Sequence, residues 1–359
     1  DFNIESYDHF LSPTLLENIL SKIEGRLTAL KEKKSFSFKE KSLMDVLATS
    51  VKFAPTIISG VNDAKQVMRT PERFFDFSTY KQADMVIKSA LKLVSDAYSP
   101  SILTLSTFES GTRAEESTQR ATEFARNNDI NPFIDLYEKV LLPSESWEDY
   151  NLVGISIVGI SQILPGLTLA RLLKEKYPHL HITLGGPIFS VNSKQLMGHP
   201  EFFQEFCDSI VTFEGEEPLH RLLTTLKNGS TLKSVPNLIF YEDEKIEFNE
   251  ERVELRFEEM PPPTFDGLPL DLYLSPYPIL PVLQSRGCYW GKCTFCTHSF
   301  IYGHRYGKQR TEQMVNELES LGKKYKTKYF TFSDEAVSPH SLNDVSEEII
   351  KRDVDIKSL

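Results

Sequence analysis

The sequence predicts an α/β protein in three successive parts: a helical N-terminal region, a parallel-sheet α/β domain, and the opening of a second β/α arrangement. Three patterns carry this expectation. Apolar residues recur at helical spacing through residues 1–96, short β-rich runs alternate with helical segments from about residue 100, and a strand–loop–helix–strand pattern follows residue 276. With 359 residues, 40% of them hydrophobic and 25% charged, the chain has material for two or three cores of ordinary globular composition.

Residues 1–96 read as a helical domain. Ser12 followed by Pro13 suits a helix N-cap and first position, and Leu15, Leu16, Ile19, Leu20, Ile23, Leu27 and Leu30 then form one apolar stripe. Further helices are expected around residues 41–57 and 79–97, separated by a turn at TPERFFDF. In residues 97–227 the period changes. ILTLSTF, LVGISIVGI, HITLGG and DSIVTF read as strands, and AEESTQRATEFARNN and LARLLKEKY as the helices between them, which is a parallel layout. LVGISIVGI, residues 152–160, is apolar almost throughout, which predicts a central strand covered on both faces. Residues 228–275 read as a connector. NLIFYEDEKIEFN alternates around a charged turn as a hairpin does, and MPPPTFDGLPLDLY is too rich in proline for a helix or a central strand.

The last part, residues 276–359, opens with the apolar strand PILPVLQSRG and continues through an amphipathic helix, RTEQMVNELESLGKKY, to a second strand, KYFTFSDE. The loop between the first strand and the helix contains RGCYWGKCTFCTH, with three of the chain's four cysteines. This layout sets the cysteine loop, and Asp334 and Glu335, at the C-terminal ends of strands. Parallel sheets and β/α barrels bind their ligands on that face.

Cys288, Cys293 and Cys296 lie within nine residues, so one loop can present all three thiols to a single centre with little further closure entropy. A disulfide would leave one of them unpaired, and four cysteines in 359 residues do not make a stapled secreted scaffold. Arg286 and Lys292 flank the sulfurs, and positive charge favours the ligating thiolate. Two readings stand at this point: an iron–sulfur cluster on three thiolates, and a Cys3His zinc site that adds His298. No second pair of zinc-type ligands exists in the chain, which favours the cluster. Cys207, in the apolar FFQEFCDSIV, is expected to be buried and inert.

Three turns at the ends of the expected parallel strands are candidate binding loops: Ser156 through Gln162, Gly185-Gly186-Pro187, and Glu214-Gly215-Glu216-Glu217. Each has a plain structural reading as well, a positive-φ turn for the glycine pair and an acidic first helical turn for the glutamates. Taken in order as GISIVGISQ, ITLGGP and IVTFEGEEP, and standing upstream of a three-cysteine loop, they resemble the Rossmann-like, doubly wound cobalamin-binding domain of one large class of radical S-adenosylmethionine enzymes. The resemblance implies that Ser156, Ser161, Gln162, Gly185, Gly186, Pro187, Glu214 and Gly215 bind cobalamin. It departs from other cobalamin proteins at ESGTRAEES, which lacks the DxHxxG motif whose histidine ligates cobalt.

The final part is similar to the start of the radical S-adenosylmethionine barrel, a partial TIM-type β/α barrel with a three-cysteine loop after its first strand. The resemblance implies a [4Fe-4S] cluster on Cys288, Cys293 and Cys296, with one iron left open for the amino and carboxylate groups of S-adenosylmethionine. Phe295 is implied to lie near the adenine, and Ser333, Asp334 and Glu335 to hold the methionine end. The spacing here is CxxxxCxxC rather than the common CxxxCxxC, with Lys292 as the extra residue, a change that removes no ligand. The implied activity is reductive cleavage of S-adenosylmethionine and modification of an unactivated carbon by methyl transfer. The alternatives are a radical rearrangement or oxidation without methyl transfer, and a non-enzymatic module with zinc. No catalytic side chain beyond the cluster is assigned. The 84 residues 276–359 hold two β/α units and the start of a third strand at DVDIKSL, so the barrel is expected to be completed by further chain or a second subunit.

A formal net charge of −11 disfavours nucleic acid as a partner, because phosphate binding needs a basic surface. No run of 18 apolar residues and no signal peptide are present, which predicts a cytoplasmic protein off the membrane. The chain opens on Asp1 rather than Met, as a processed or trimmed chain does. The expected partners are a small-molecule or peptide substrate and an external electron donor.

Overall fold

The computed structural model describes residues 7–253, 256, 257, 260–303 and 305–357. The chain forms two compact units, the first made of Asp1–Asn151, Gly159–Leu180 and Pro269–Pro276, the second of Leu152–Val158, His181–Leu268 and Tyr277–Leu359.

Three long helices build the first unit. Helix α1, Pro13–Lys31, starts where the Ser12 side chain accepts the Leu15 N–H, and buries Leu16, Ile19, Ile23 and Leu27 on one face. Helix α2, Phe38–Arg69, opens with a reciprocal cap between Ser37 and Glu40. It runs well past the expected end near residue 57, because Val61, Ala64, Val67 and Met68 continue its buried stripe beyond Pro55. Helix α3, Phe77–Ala97, is capped by Asp76 and packs on both. Lys65 and Arg69 of α2 meet Asp8 at 3.1 and 2.9 Å, and Arg69 also donates to the Leu272 carbonyl at 2.6 Å, which fixes the end of the proline-rich segment to this helix.

ILTLSTF does not enter a parallel sheet. It folds into a small antiparallel pair, β1 (Ile102–Leu103) with β2 (Phe108–Glu109), because Thr104 N–H closes a tight turn on the Thr107 carbonyl at 2.9 Å. Helices α4 (Thr118–Ala125), α5 (Pro132–Leu136) and α6 (Ile160–Lys176) complete the unit. Asn131 caps α5 and also donates to Thr168 of α6 at 2.9 Å, so a buried amide joins the two.

The second unit contains a five-stranded sheet in the order β3 (Leu152–Ser156), β4 (His181–Gly185), β5 (Ser209–Val211), β6 (Leu238–Glu242), β7 (Lys245–Phe248). Strands β3, β4 and β5 are parallel, as expected. LVGISIVGI, however, supplies an edge strand with no fully buried residue, and the buried positions belong to β4 and β5. The expected hairpin forms as β6 and β7, with Asp243 and Glu244 at positive φ in its turn. Rather than bridging two domains, it extends the sheet antiparallel to β5, because Leu238, Ile239 and Phe240 are all buried. Cys207 is buried just before β5. Helices α7 (Pro187–Val191), α8 (Pro200–Phe206) and α9 (Glu216–Asn228) belong to the same unit.

The C-terminal part forms the expected strand–loop–helix–strand unit. Strand β8 (Ile279–Val282) pairs in parallel with β11 (Tyr329–Phe332) through helix α11 (Thr311–Tyr325), which buries Met314, Val315, Leu318 and Leu321. A short antiparallel pair, β9 (Ser285–Gly287) with β10 (Tyr306–Lys308), closes the base of the cysteine loop, and that loop carries the one-turn helix α10 (His298–Ile301). Helix α12, Pro339–Lys351, follows β11. The third-strand segment DVDIKSL makes no strand over its described residues, yet the Lys357 N–H reaches the Lys328 carbonyl at 2.9 Å and Asp355 pairs with Lys328. Its last two residues lie outside the described ones. Among the described residues, no helix is long and apolar enough to cross a membrane.

Candidate functional site

The site is built at the C-terminal ends of β3, β4 and β5. Strand β4 ends in Gly185-Gly186-Pro187, and the Ile157 N–H donates to the Gly185 carbonyl at 2.8 Å. Gly186 lies at φ +116°, and a Cβ there would stand 2.1 Å from the Ile157 carbonyl oxygen. No other residue type fits without moving the backbone. Pro187 then starts α7 at the position where its missing N–H costs nothing. Beyond β5, Phe213 sits at φ +60°, its N–H held by the Ser190 hydroxyl at 2.7 Å, and α9 begins at Glu216.

These turns line a cavity of about 670 Å³, within the range of small-molecule sites. Ser156, Gly185, Gly186, Pro187, Glu214 and Gly215, all expected from the sequence, are in its wall. Ser161 and Gln162 are not: they lie in the first turn of α6, in the first compact unit, where the Gln162 side chain accepts the Gly159 N–H at 3.2 Å.

The same cavity is lined by Arg286, His298, Ile301 and Tyr302 of the cysteine-loop region and by Glu335 beyond β11. Arg286, on β9, sends Nη1 to Glu216 at 2.8 Å and to Glu214 at 3.4 Å, and Arg305 stands 3.9 Å from Glu214. The charge assigned above to favouring thiolate is therefore engaged by two carboxylates. Tyr302 donates to Glu335 at 3.1 Å, and burial together with that carboxylate pushes its phenol up to about 12. His298 Nδ1 is 3.7 Å from Glu335, and its ring lies nearly parallel to that of Tyr302, with centroids 6.3 Å apart.

Cys288 and Cys296 are half-buried, Cys293 is exposed, and none is in a disulfide. The loop turns where the Cys296 N–H meets the Cys293 carbonyl at 3.3 Å, and it is entered through Gly287 at φ +84°, where a Cβ would stand 2.2 Å from the Arg305 carbonyl. Among the described residues, no three cysteine, histidine or carboxylate side chains stand close enough together to hold a metal ion. The donor set, three thiols on one loop, suits an iron–sulfur centre by its chemistry.

Phe295 is 88% exposed and touches none of the cavity. Of the three acceptors expected at the methionine end, only Glu335 faces the cavity. Asp334 is committed elsewhere: it accepts the N–H groups of Gln284 and Ser285 and the Ser285 hydroxyl, at 3.1, 2.5 and 2.5 Å, and so ties the end of β11 to the β8–β9 junction. Ser333 is exposed, and its N–H extends the β8–β11 ladder to the Val282 carbonyl. Sequence reasoning did not assign Tyr302, nor Arg286 as a partner of Glu216. The one signal that could have found the second was a cation two residues before the first cysteine in a chain whose EGEEP turn carries three carboxylates.

No family model matches the chain. It is 28% identical over 215 residues to an uncharacterized methyltransferase, PH0819, of Pyrococcus horikoshii, covering 58% of this chain and 45% of that protein. It is 26% identical over 220 residues to the hopanoid C-3 methylase of Methylococcus capsulatus, covering 57% and 38%. The chain thus spans less than half the length of these curated relatives. Among solved structures it is similar to the cobalamin-dependent S-adenosylmethionine radical enzyme OxsB with aqua-cobalamin and S-adenosylmethionine bound, at 24% identity and a TM-score of 0.49, covering 63% of this chain and 31% of that one. It is also similar to the radical S-adenosylmethionine methyltransferase TsrM from Kitasatospora setae with cobalamin and a [4Fe-4S] cluster bound, at 19% identity and a TM-score of 0.46, covering 61% and 44%. Over rather more than half its length, this chain is similar in sequence to two proteins named as a methyltransferase and a methylase.

Proposed function

We propose that this chain is part of a cobalamin-dependent radical S-adenosylmethionine methyltransferase acting on an unactivated carbon. The observation that carries the reading is the shared cavity. The turns that resemble a cobalamin site and the residues flanking the three-cysteine loop line one space, at the C-terminal ends of parallel strands.

Cys288, Cys293 and Cys296 would hold a [4Fe-4S] cluster, and cobalamin would lie against Ser156, Gly185, Gly186, Pro187, Glu214 and Gly215. When bound, these groups supply the electron that breaks a carbon–sulfur bond of S-adenosylmethionine and the methyl carrier. The chain's own part is positioning. The backbone at Gly186 lets a large ligand approach the strand ends, and the exposed apolar Val158 at the rim offers contact area. Glu335, facing the cavity, is placed to accept from the amino group of the methionine end, and Tyr302 holds that carboxylate in place. Asp334 orients the strand end rather than the ligand. Ser333 and Phe295 would add contacts at the S-adenosylmethionine end, while Ser161 and Gln162, in the first unit, stand as contacts implied by the resemblance alone.

The enzyme would be cytoplasmic and would take electrons from an external one-electron donor and act on a small-molecule or peptide substrate. The alternative Cys3His zinc site gains no support, because the His298 ring lies against Tyr302 and faces Glu335.

Anaerobic purification and reconstitution with iron, sulfide and hydroxocobalamin, followed by metal analysis, tests the proposal. Iron, sulfide and bound cobalt are expected. A colourless, iron-free protein that retains zinc would overturn it, and iron without any cobalamin binding would leave a radical enzyme that transfers no methyl group from cobalamin.

A further inference from the structure

We infer that Arg286 is a positioning residue that couples occupancy of the sheet-end cavity to the cysteine loop, an assignment that rests on the proposed function. The side chain spans 70 residues of sequence. Its Nη1 bonds Glu216 at 2.8 Å and Glu214 at 3.4 Å, on the turn that lines the cavity beyond β5. Its backbone sits two residues before Cys288, on β9, where it pairs with Gly307 of β10.

The connection is stiff at both ends. On the turn, Phe213 is held at positive φ by Ser190, and the Arg252 guanidinium stacks on its ring at 3.7 Å. On the loop side, Gly287 is pressed on the Arg305 carbonyl so closely that no Cβ fits. A shift of the turn when the cavity fills therefore moves the Arg286 guanidinium, and the strand backbone passes that shift to the first thiol. The side chains of Arg286 and Glu214 are only 17% and 14% exposed, so solvent screens the pair weakly and the attraction depends on distance. With Arg286 removed, Glu214 keeps Arg305, at 3.9 Å, as its cation among the described residues, and Glu216 loses the contact that draws it to β9.

Coupling between two sites is reciprocal, which allows two independent readouts. In the full chain, hydroxocobalamin affinity is measured by absorbance titration, once on cluster-free protein and once after anaerobic reconstitution with iron and sulfide. The rate at which a chelator strips the iron is measured with and without hydroxocobalamin. Wild type is expected to bind hydroxocobalamin about fivefold or more tighter with the cluster in place, and to lose iron more slowly by a similar factor when hydroxocobalamin is present. Arg286→Gln should bring both ratios to about one; each ratio compares a variant with itself, so a direct effect of the cavity-wall change on either affinity cancels. Arg286→Lys, which keeps the charge but not the fork, should restore part of them. Glu216→Gln breaks the same contact from a more exposed residue and serves if Arg286→Gln does not fold. Ratios in these variants equal to those of wild type, or a wild-type ratio of one, overturn the coupling alone. Wild type that binds no hydroxocobalamin overturns the proposed function and the coupling together.

Discussion

The cavity at the strand ends and the cysteine loop differ in how much of each exists before a ligand arrives. The cavity wall is made of backbone that has no alternative, with Gly186 packed on Ile157 and Phe213 held at positive φ by Ser190. The cysteine loop is fixed at its base by β9, β10 and Gly287, and beyond that base Cys293 is exposed. A non-covalent ligand has to find its site largely formed, since ordering a site on binding costs affinity. A metal cluster does not, because each metal–thiolate bond is strong enough to order the loop around it. The two halves of one site are thus expected to fail in different ways.

The largest effect is expected at the thiols. Cys288→Ala, Cys293→Ala and Cys296→Ala should each remove the iron altogether from reconstituted protein, with no loss of thermal stability in the metal-free chain, because the loop adds little to any core. Cys207→Ala should do the reverse, keeping full iron content and lowering stability through the cavity left beside β5. Iron and sulfide analysis beside a melting curve measures both. A full cluster in Cys293→Ala would remove the exposed thiol from the ligand set.

On the cavity side the corresponding change is Gly186→Ala. A methyl group 2.1 Å from the Ile157 carbonyl, on a residue at φ +116°, forces the ends of β3 and β4 apart, at a cost of about 3 kcal/mol or more. Hydroxocobalamin binding should fall by more than about tenfold, the equivalent of 1.4 kcal/mol, while iron uptake by the three thiols is kept. Complete loss of iron uptake would show that the loop cannot form without the cavity wall, a dependence far beyond the about fivefold coupling expected through Arg286.

Asp334→Asn is expected to have an intermediate effect. The carboxylate accepts two backbone N–H groups and one hydroxyl, and an amide in its place loses the charge and half the acceptor capacity, costing about 1–3 kcal/mol. Chemical denaturation gives that number directly. If Asp334 instead held S-adenosylmethionine, stability would barely change and affinity for that ligand would fall.

The contrast also explains what the sequence could and could not tell. Local structure was legible: the turn at the glycine pair, the helix start after the EGE turn, the cap at Ser12 and the hairpin turn at Asp243 and Glu244 each follow from residues within a few positions of one another. Long-range choices were not. An apolar run such as LVGISIVGI has the same composition at an edge as at the centre, and only the order of the sheet reveals that it is an edge. ILTLSTF has strand composition, yet the Thr104–Thr107 turn folds it on itself. Asp334 is bonded to the Ser285 backbone 49 residues away while Glu335 lines the cavity, and Arg286 finds its partners 70 and 72 residues away. Motif spacing carries no information about contacts of that range.

The smallest expected effect lies at Tyr302, where the two halves meet. Its phenol is pushed up to about 12 by burial and by the neighbouring Glu335, against an ordinary value of 10.0. Between pH 10 and 12 the folded chain therefore keeps a proton that the unfolded chain has released, so stability is unaffected below about pH 10 and falls as pH rises through that window. Tyr302→Phe removes this one contribution to the alkaline loss and, at neutral pH, costs about 1 kcal/mol for the hydrogen bond to Glu335. Near-ultraviolet titration of the variant against wild type should show one late-titrating phenol missing. A ligand filling the cavity should bury the phenol further, so hydroxocobalamin is expected to move that late transition still higher in wild type, and an unmoved transition would place the ligand away from Tyr302.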